Sequence, residues 1–197
     1  LQAALSLVLL VGAGLLTKSL NKLEHQDFGV ESENRIVVHI TPDNAGFKPQ
    51  QLPALYDQIE QRLLTIPGVQ HVGLSTYTPL EGNNWGEAVF IEGRPQPGVN
   101  TKNGASWDRV GPDFFTIVGH HVLRGRGITA RDTATSPLVA VVNQAFLKKF
   151  FPDGQDPIGK HFGLADVRSS SEIEIVGVVS DVKYNNLTAP TRAMYFR

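Results

Sequence analysis

LQAALSLVLLVGAGLLT, running from Leu1 to Thr17, contains no charged side chain, and Lys18 and Lys22 follow it. A helix on the surface of a soluble domain needs a polar face, and this stretch offers none. At about 1.5 Å rise per residue it would reach about 25 Å as a helix, a little short of the roughly 30 Å hydrocarbon core of a bilayer. The stretch therefore predicts the C-terminal part of a transmembrane helix over residues 1–20, with the rest of the chain tethered to lipid. A secretory signal would place a basic region before the apolar run and a small-residue cleavage site after it. Neither Lys nor Arg precedes Leu1, and Lys18-Ser19-Leu20-Asn21 is no such site. A buried core helix is the competing reading, with Gly12, Ala13 and Gly14 suited to close packing. Orientation is not set by charge, because Lys18 and Lys22 are mixed with Glu24 and Asp27.

Beyond this segment the composition is that of a folded chain with room for one large domain or two small ones. The net charge of −1 gives no electrostatic footprint for nucleic acid. The absence of cysteine removes disulfides, thiolate metal sites and cysteine nucleophiles together. Residues 21–34 are polar and mixed in charge, a juxtamembrane stem. Arg35-Ile36-Val37-Val38-His39-Ile40-Thr41 is rich in β-branched residues and stops at Pro42, which predicts a strand. From Pro49 or Pro53 to Ile66 the spacing is helical, with Leu52, Leu55, Tyr56, Ile59, Leu63 and Ile66 on one face. Pro67-Gly68 ends that helix, and Val69 to Tyr77 reads as a second strand. Strand, helix and strand over residues 35–77 predict a βαβ unit with parallel strands.

From Thr78 to Arg197 the punctuation by Gly and Pro becomes dense and the elements short. Strands are expected at Ala88–Glu92, Ser106–Val110, Leu138–Val142, Glu172–Val179 and Ala193–Arg197. Short helices are expected at Phe114–Val118 and, capped by Asn143 and closed by Pro152, at Gln144–Phe151. The fold class is α+β, with a mostly antiparallel or mixed sheet in this second region.

Several motifs invite a chemical reading and fail it. Gly154-Gln155-Asp156-Pro157-Ile158-Gly159-Lys160-His161 fits a phosphate-loop spacing but has His161 where a magnesium-binding hydroxyl belongs, and Pro157 deletes an amide. It also leaves a helix and enters a strand, the reverse of the context that aims helix N-terminal amides at phosphate. Gly73-Leu74-Ser75-Thr76-Tyr77 starts like a nucleophile elbow but has Tyr77 in place of the second glycine. His120 and His121 are adjacent and would point to opposite sides of an extended segment, so they are a poor metal pair. Arg124-Gly125-Arg126-Gly127 reads as a turn with solvated guanidinium groups near Asp132. Trp85 and Trp107 are either core residues or exposed platforms for a ligand or an interface. Asn186-Leu187-Thr188 is a glycosylation sequon, meaningful only in a eukaryotic secretory pathway. No catalytic, cofactor-binding or metal-binding residue is assigned, and the chain is not expected to be an enzyme.

An ordered set of these same pieces resembles one family. Ile66-Pro67-Gly68-Val69, Thr78-Pro79-Leu80, Gly111-Pro112-Asp113-Phe114-Phe115 and Leu123-Arg124-Gly125-Arg126 with Asp132 come first. Val139-Ala140-Val141-Val142-Asn143, Phe151-Pro152, Asp156-Pro157-Ile158-Gly159-Lys160 and Glu174-Ile175-Val176-Gly177-Val178-Val179 with Asp181-Val182-Lys183 follow. The sequence resembles the MacB-like periplasmic core domain of FtsX-like ABC transporter permeases, in the style of the duplicated orphan permeases of soil bacteria. The resemblance implies a porter-like subdomain of two βαβ halves with a small α/β subdomain, Sabre, inserted between them. Residues 35–77 would be the first half and residues 78–197 the Sabre-like subdomain, with the second half and three further membrane helices beyond Arg197. It further implies no cofactor and a location at the bacterial inner membrane with the main domain periplasmic. The implied partners are a cytoplasmic ATPase domain or subunit, membrane lipid, a permease dimer or internal duplicate, and a periplasmic protein. Such permeases are thought to couple ATP hydrolysis on one side of the membrane to movement on the other. A membrane-tethered periplasmic sensor or ligand-binding module is the alternative function.

Overall fold

The computed structural model describes residues 2–24, 33–98, 101–133, 135–184 and 189–197. The sequon at 186–188 and most of the stem expected at 21–34 lie outside them. Helix α1 (Gln2–Glu24) is continuous through the apolar stretch. Its Ala4–Asn21 window has a mean hydropathy of 1.6 and none of it is buried. Ser6 and Thr17 donate their hydroxyls to Gln2 O and Ala13 O one turn back, so the two polar side chains are satisfied within the helix. The continuous, unburied helix is what the sequence predicts for a segment solvated by lipid.

Residues 33–41 contain no strand. The segment is attached by its side chains instead: Arg35 Nε donates to Ile117 O, and His39 Nε2 lies 2.9 Å from Glu81 Oε1. Two short 3₁₀ turns (Pro42–Ala45 and Pro49–Gln51) lead into helix α2 (Leu52–Leu64). The expected apolar face of α2 is correctly placed, since Leu52, Leu55, Tyr56, Ile59 and Leu63 are its half-buried apolar positions, yet none of its residues is fully buried. The second expected strand, 69–77, is likewise absent as a ladder and contributes one isolated bridge, Ser75 opposite Val110. A β-strand exists only through hydrogen bonds to a neighbouring strand. These two β-branched segments are not paired with each other, so the parallel strands expected around α2 do not form among the described residues. The amide of Thr76 donates to Arg109 O, and Leu74 O accepts from the Gly111 amide. Residues 74–77 thus lie along the second region, and Tyr77 is buried in its core.

That second region is built on one eight-stranded mixed sheet. Its strands are β1 (Trp85–Ala88), β2 (Phe90–Ile91), β3 (Gly104–Asp108), β4 (Val122–Gly125), β5 (Val139–Asn143), β6 (His161–Gly163), β7 (Ile173–Val179) and β8 (Met194–Phe196). The order is β1-β3-β8-β5-β7-β6-β2, with β4 on β7 beside this path. The β3–β8 and β5–β7 pairs are parallel and the others antiparallel, the mixed sheet expected. Only Val89 separates β1 from β2, so one residue joins the two ends of the sheet. Its amide donates to Asn103 O and its carbonyl accepts from Asn103 Nδ2.

Each face of the sheet carries its own core. On one side helix α4 (Gln144–Phe150) brings Phe146 and Phe150 onto Val142, Phe162, Ile175 and Tyr195. On the other, helix α3 (Phe114–Val118) and Tyr77 pack on Val141, Val179, Met194 and Phe196. Asn143 caps α4 as expected, its Oδ1 accepting from the Phe146 amide at 2.9 Å. The same oxygen accepts from the Met194 amide at 2.9 Å, and Asn143 Nδ2 donates to Arg192 O at 2.8 Å, which ties β5 to β8. The expected turn at 124–127 is corrected: Arg124 and Gly125 belong to β4. The chain just past its end runs so close to β7 that a Cβ on Gly177 would meet Arg126 O at 1.9 Å.

Candidate functional site

Three features outside ordinary packing are candidates for function. The first is α1, whose Leu7, Val8, Leu9, Leu10, Leu15 and Leu16 are all exposed. The second is a run of apolar side chains along the segment before α2 and at the end of that helix. Ile36 is 89% exposed, Val38 67%, Leu64 49% and Ile66 50%. Water disfavours this much unburied aliphatic surface, so a sequence that keeps it marks a surface meant to be covered. Glu60, on the half-buried side of α2, has its carboxyl raised by desolvation, with Asp57 and Asp113 adding repulsion.

The third feature is polar and buried. Asp108, at the end of β3, is fully buried, its Oδ1 accepting from the Thr76 amide at 3.0 Å. Burial raises its carboxyl to about 7, against the lowering effect of the amides around it. Tyr77 and Tyr184 pack edge to face at 5.7 Å, and the charge of Asp108 helps burial push both phenols up. His120 shares this core, with Nδ1 2.9 Å from Ser180 O, and desolvation lowers its imidazole to about 4. Among the described residues Asp108 Oδ2, His120 Nε2 and Tyr184 OH are buried without a hydrogen-bond partner. Burial disfavours the charged form of each of these groups.

The motifs weighed for chemistry take part in local hydrogen bonding and packing. In the loop 154–161 the Gly159 amide donates to Ile175 O at 2.9 Å and the Lys160 amide to Pro157 O at 3.0 Å. The Ile158 amide donates to Asp156 Oδ1 at 3.1 Å, so these amides serve the loop and the sheet rather than a phosphate. His161 lies 3.2 Å from Glu92 Oε2, linking β6 to the end of β2. His120 is buried and His121 exposed, as alternation requires. Among the described residues no group of three metal-ligating side chains is gathered. Arg126 forms a two-pronged pair with Asp132 at 2.7 and 2.9 Å, and Arg124 reaches Asp156 at 2.7 Å. Trp85 and Trp107 face each other across β1 and β3 with centroids 6.2 Å apart. Trp85 remains 58% exposed, while Arg109 and Arg197 both stack over Trp107. The buried Asp108 was not legible in the sequence. An acid between Trp107 and Arg109 reads as a surface residue until Tyr77 and Tyr184 are known to cover it.

The sequence model of one family, described as the MacB-like periplasmic core domain, matches residues 3–196. Among solved structures, the periplasmic region of MacB from Actinobacillus actinomycetemcomitans aligns with a TM-score of 0.47 and 19% identity. It covers 71% of this chain and 61% of that one. The extracellular domain of the noncanonic ABC-type transporter YknZ from Gram-positive bacteria aligns with a TM-score of 0.37 and 13% identity, over 59% of this chain and 55% of that one. The chain therefore spans less than two thirds of the length of either. No curated protein matches it.

Proposed function

Because the chain belongs to the MacB-like periplasmic core domain family, we propose that it is the extracytoplasmic part of an ABC transporter permease subunit. On this reading it performs no chemistry and passes ATP-driven movement across the bacterial inner membrane to the periplasm. The observation that supports it best is α1, long and apolar enough to cross a membrane and unburied along its Ala4–Asn21 window. A helix fixed in the bilayer and continuous in chain with the lobe is the mechanical link that such coupling needs. Residues 35–77 are then the first half of a porter-like subdomain, and residues 78–197 the Sabre-like subdomain. A second porter half of the same permease would cover Ile36, Val38 and Ile66. The partners are an ATPase on the cytoplasmic side, lipid around α1, a second permease or internal duplicate, and a periplasmic protein.

Residues 1–197 contain no cysteine, so no native thiol of this stretch competes with an introduced one. In spheroplasts, Asp153→Cys should react with a membrane-impermeant maleimide, whereas Ala4→Cys should react only after detergent. Labelling of Asp153→Cys only after the inner membrane is opened would reverse the orientation and reject the reading. Coupling is tested by spin labels at Gln58→Cys and Asp153→Cys in the permease assembled with its ATPase. Their distance should shift on addition of ATP and vanadate. A distance indifferent to nucleotide but altered by a periplasmic extract would favour the sensor alternative.

A further inference from the structure

A cleft of about 180 Å³ opens where β1 turns into β2 beside the end of α4. Val89, Ile91 and Phe150 of the core form its apolar part, and Arg94, Lys102 and Lys149 line it from three separate stretches of chain. Among the described residues no acid lines it. Two acids adjoin lining residues in sequence: Glu92, beside Ile91, lies 3.2 Å from His161 Nδ1, and Asp166, beside Val167, is engaged by Arg168 at 2.6 and 2.9 Å. Arg94 and Lys149 lie over the rings of Phe151 and Phe150, contacts that hold both cations against the cleft. None of the three forms a salt bridge among the described residues, and Lys149 spends one donor on Gly104 O. Desolvation and then the charge of Lys102 lower the Lys149 ammonium, so these two cations feel each other. Arg124 and Arg126, by contrast, each meet a carboxylate. Like charges gathered around an apolar cleft without a counter-charge complement an anion with an apolar body.

We infer that this cleft binds a carboxylate joined to a short apolar group, the carboxylate lying among Arg94, Lys102 and Lys149 and the apolar group against Val89, Ile91 and Phe150. The volume lies below the roughly 300 Å³ at which pockets for drug-sized ligands begin, so the apolar group is of side-chain size. Two sources supply this chemistry: a free small acid, or the C-terminal residue of a peptide. The site does not depend on membrane coupling and stands whether or not α1 relays movement.

The test uses the full chain in phosphatidylcholine nanodiscs and fluorine NMR with N-acetyl-4-fluorophenylalanine, its amide, and a Gly-Gly-Gly-4-fluorophenylalanine peptide with a free C-terminus. The acid should bind and its amide should bind at least about tenfold more weakly, a loss of about 1.4 kcal/mol. Raised salt should narrow that gap, because the cations are partly exposed. The double variant Lys102→Ala/Lys149→Ala should lose at least about tenfold for the acid, the size expected when charge-assisted contacts go. Lys148→Ala, a surface cation outside the cleft, should lose nothing. Tighter binding of the peptide than of the acetylated acid would assign the peptide source, and equal binding the free acid. Equal binding of acid and amide, no binding of either acid, or unchanged acid binding by the double variant would each overturn the inference.

Discussion

Asp108 and His120 set opposing pH dependences within one core. Unfolded, the carboxyl would titrate near 3.8 and the imidazole near 6.5; folded, they sit at about 7 and about 4. Between about pH 4 and 7 the folded protein keeps a proton on Asp108 that the unfolded chain has lost, so this contribution falls as pH rises. Between about pH 4 and 6.5 the unfolded chain holds a proton on His120 that the folded protein lacks, so that contribution rises. Each slope is at most about 1.4 kcal/mol per pH unit, and they oppose. Asp108→Asn should therefore show stability that climbs from about pH 4.5 to 6.5, whereas the unaltered protein stays nearly level. Denaturant titrations at a series of pH values read this directly, and a level profile for Asp108→Asn would show that His120 is not held neutral. A second prediction at this scale concerns Gly177, where the chain just past β4 runs too close to β7 for any side chain. Gly177→Ala should cost about 1–3 kcal/mol, the usual penalty for overpacking, measured as a drop in the unfolding midpoint. Residues of this kind are barely legible in sequence. Gly177 reads as one more strand glycine, Asp108 as a surface acid, and the convergence of Arg94, Lys102 and Lys149 has no local signature at all.

At the scale of elements, patterns with local causes carry through. Helix α4 follows from Asn143 and Pro152, and α2 shows the expected face because 3.6-residue periodicity is a property of the segment itself. Asn143 also reaches beyond its helix, and that gives a third prediction. Asn143→Ala removes a cap worth about 1 kcal/mol and leaves the Met194 amide and Arg192 carbonyl without this partner, so the total loss should be about 2–4 kcal/mol. Asn143→Asp keeps the acceptor but turns a second carboxylate oxygen toward Arg192 O in a buried site, so thermal unfolding at neutral pH should place it no higher than the alanine variant. An aspartate variant as stable as the unaltered protein would mean that the contact with Arg192 O contributes little. The strands expected at 35–41 and 69–77 failed for the opposite reason. β-branched composition states a preference, but a strand forms only where another supplies its hydrogen bonds, and that information lies elsewhere in the chain. Strand β4 was missed because its Arg124-Gly125 resembles a turn until β7 is laid beside it.

For the whole molecule, the mixed α+β class was readable from the density of short strands, and the apolar start from hydropathy alone. The sheet order was not, because it depends on contacts between segments far apart in sequence. A fourth prediction belongs here: Ile36→Ser with Val38→Ser should leave the stability of this chain within about 0.5 kcal/mol, as expected for exposed positions. The same pair should weaken assembly with the remainder of the permease, read as a lower yield of intact complex on co-purification. A strongly destabilised chain with normal assembly would show that these side chains are packed inside this lobe and do not face a partner. The joint at Val89 has its own consequence for such an assembly. With β1 anchored on β3 and β2 on β6, a push on the Trp85 end is delivered to the His161 end through a single residue. Neither end strand can peel away or slide by one residue unless the other moves with it. Torque applied at one rim of the lobe would therefore turn it as a stiff block rather than fan the sheet open.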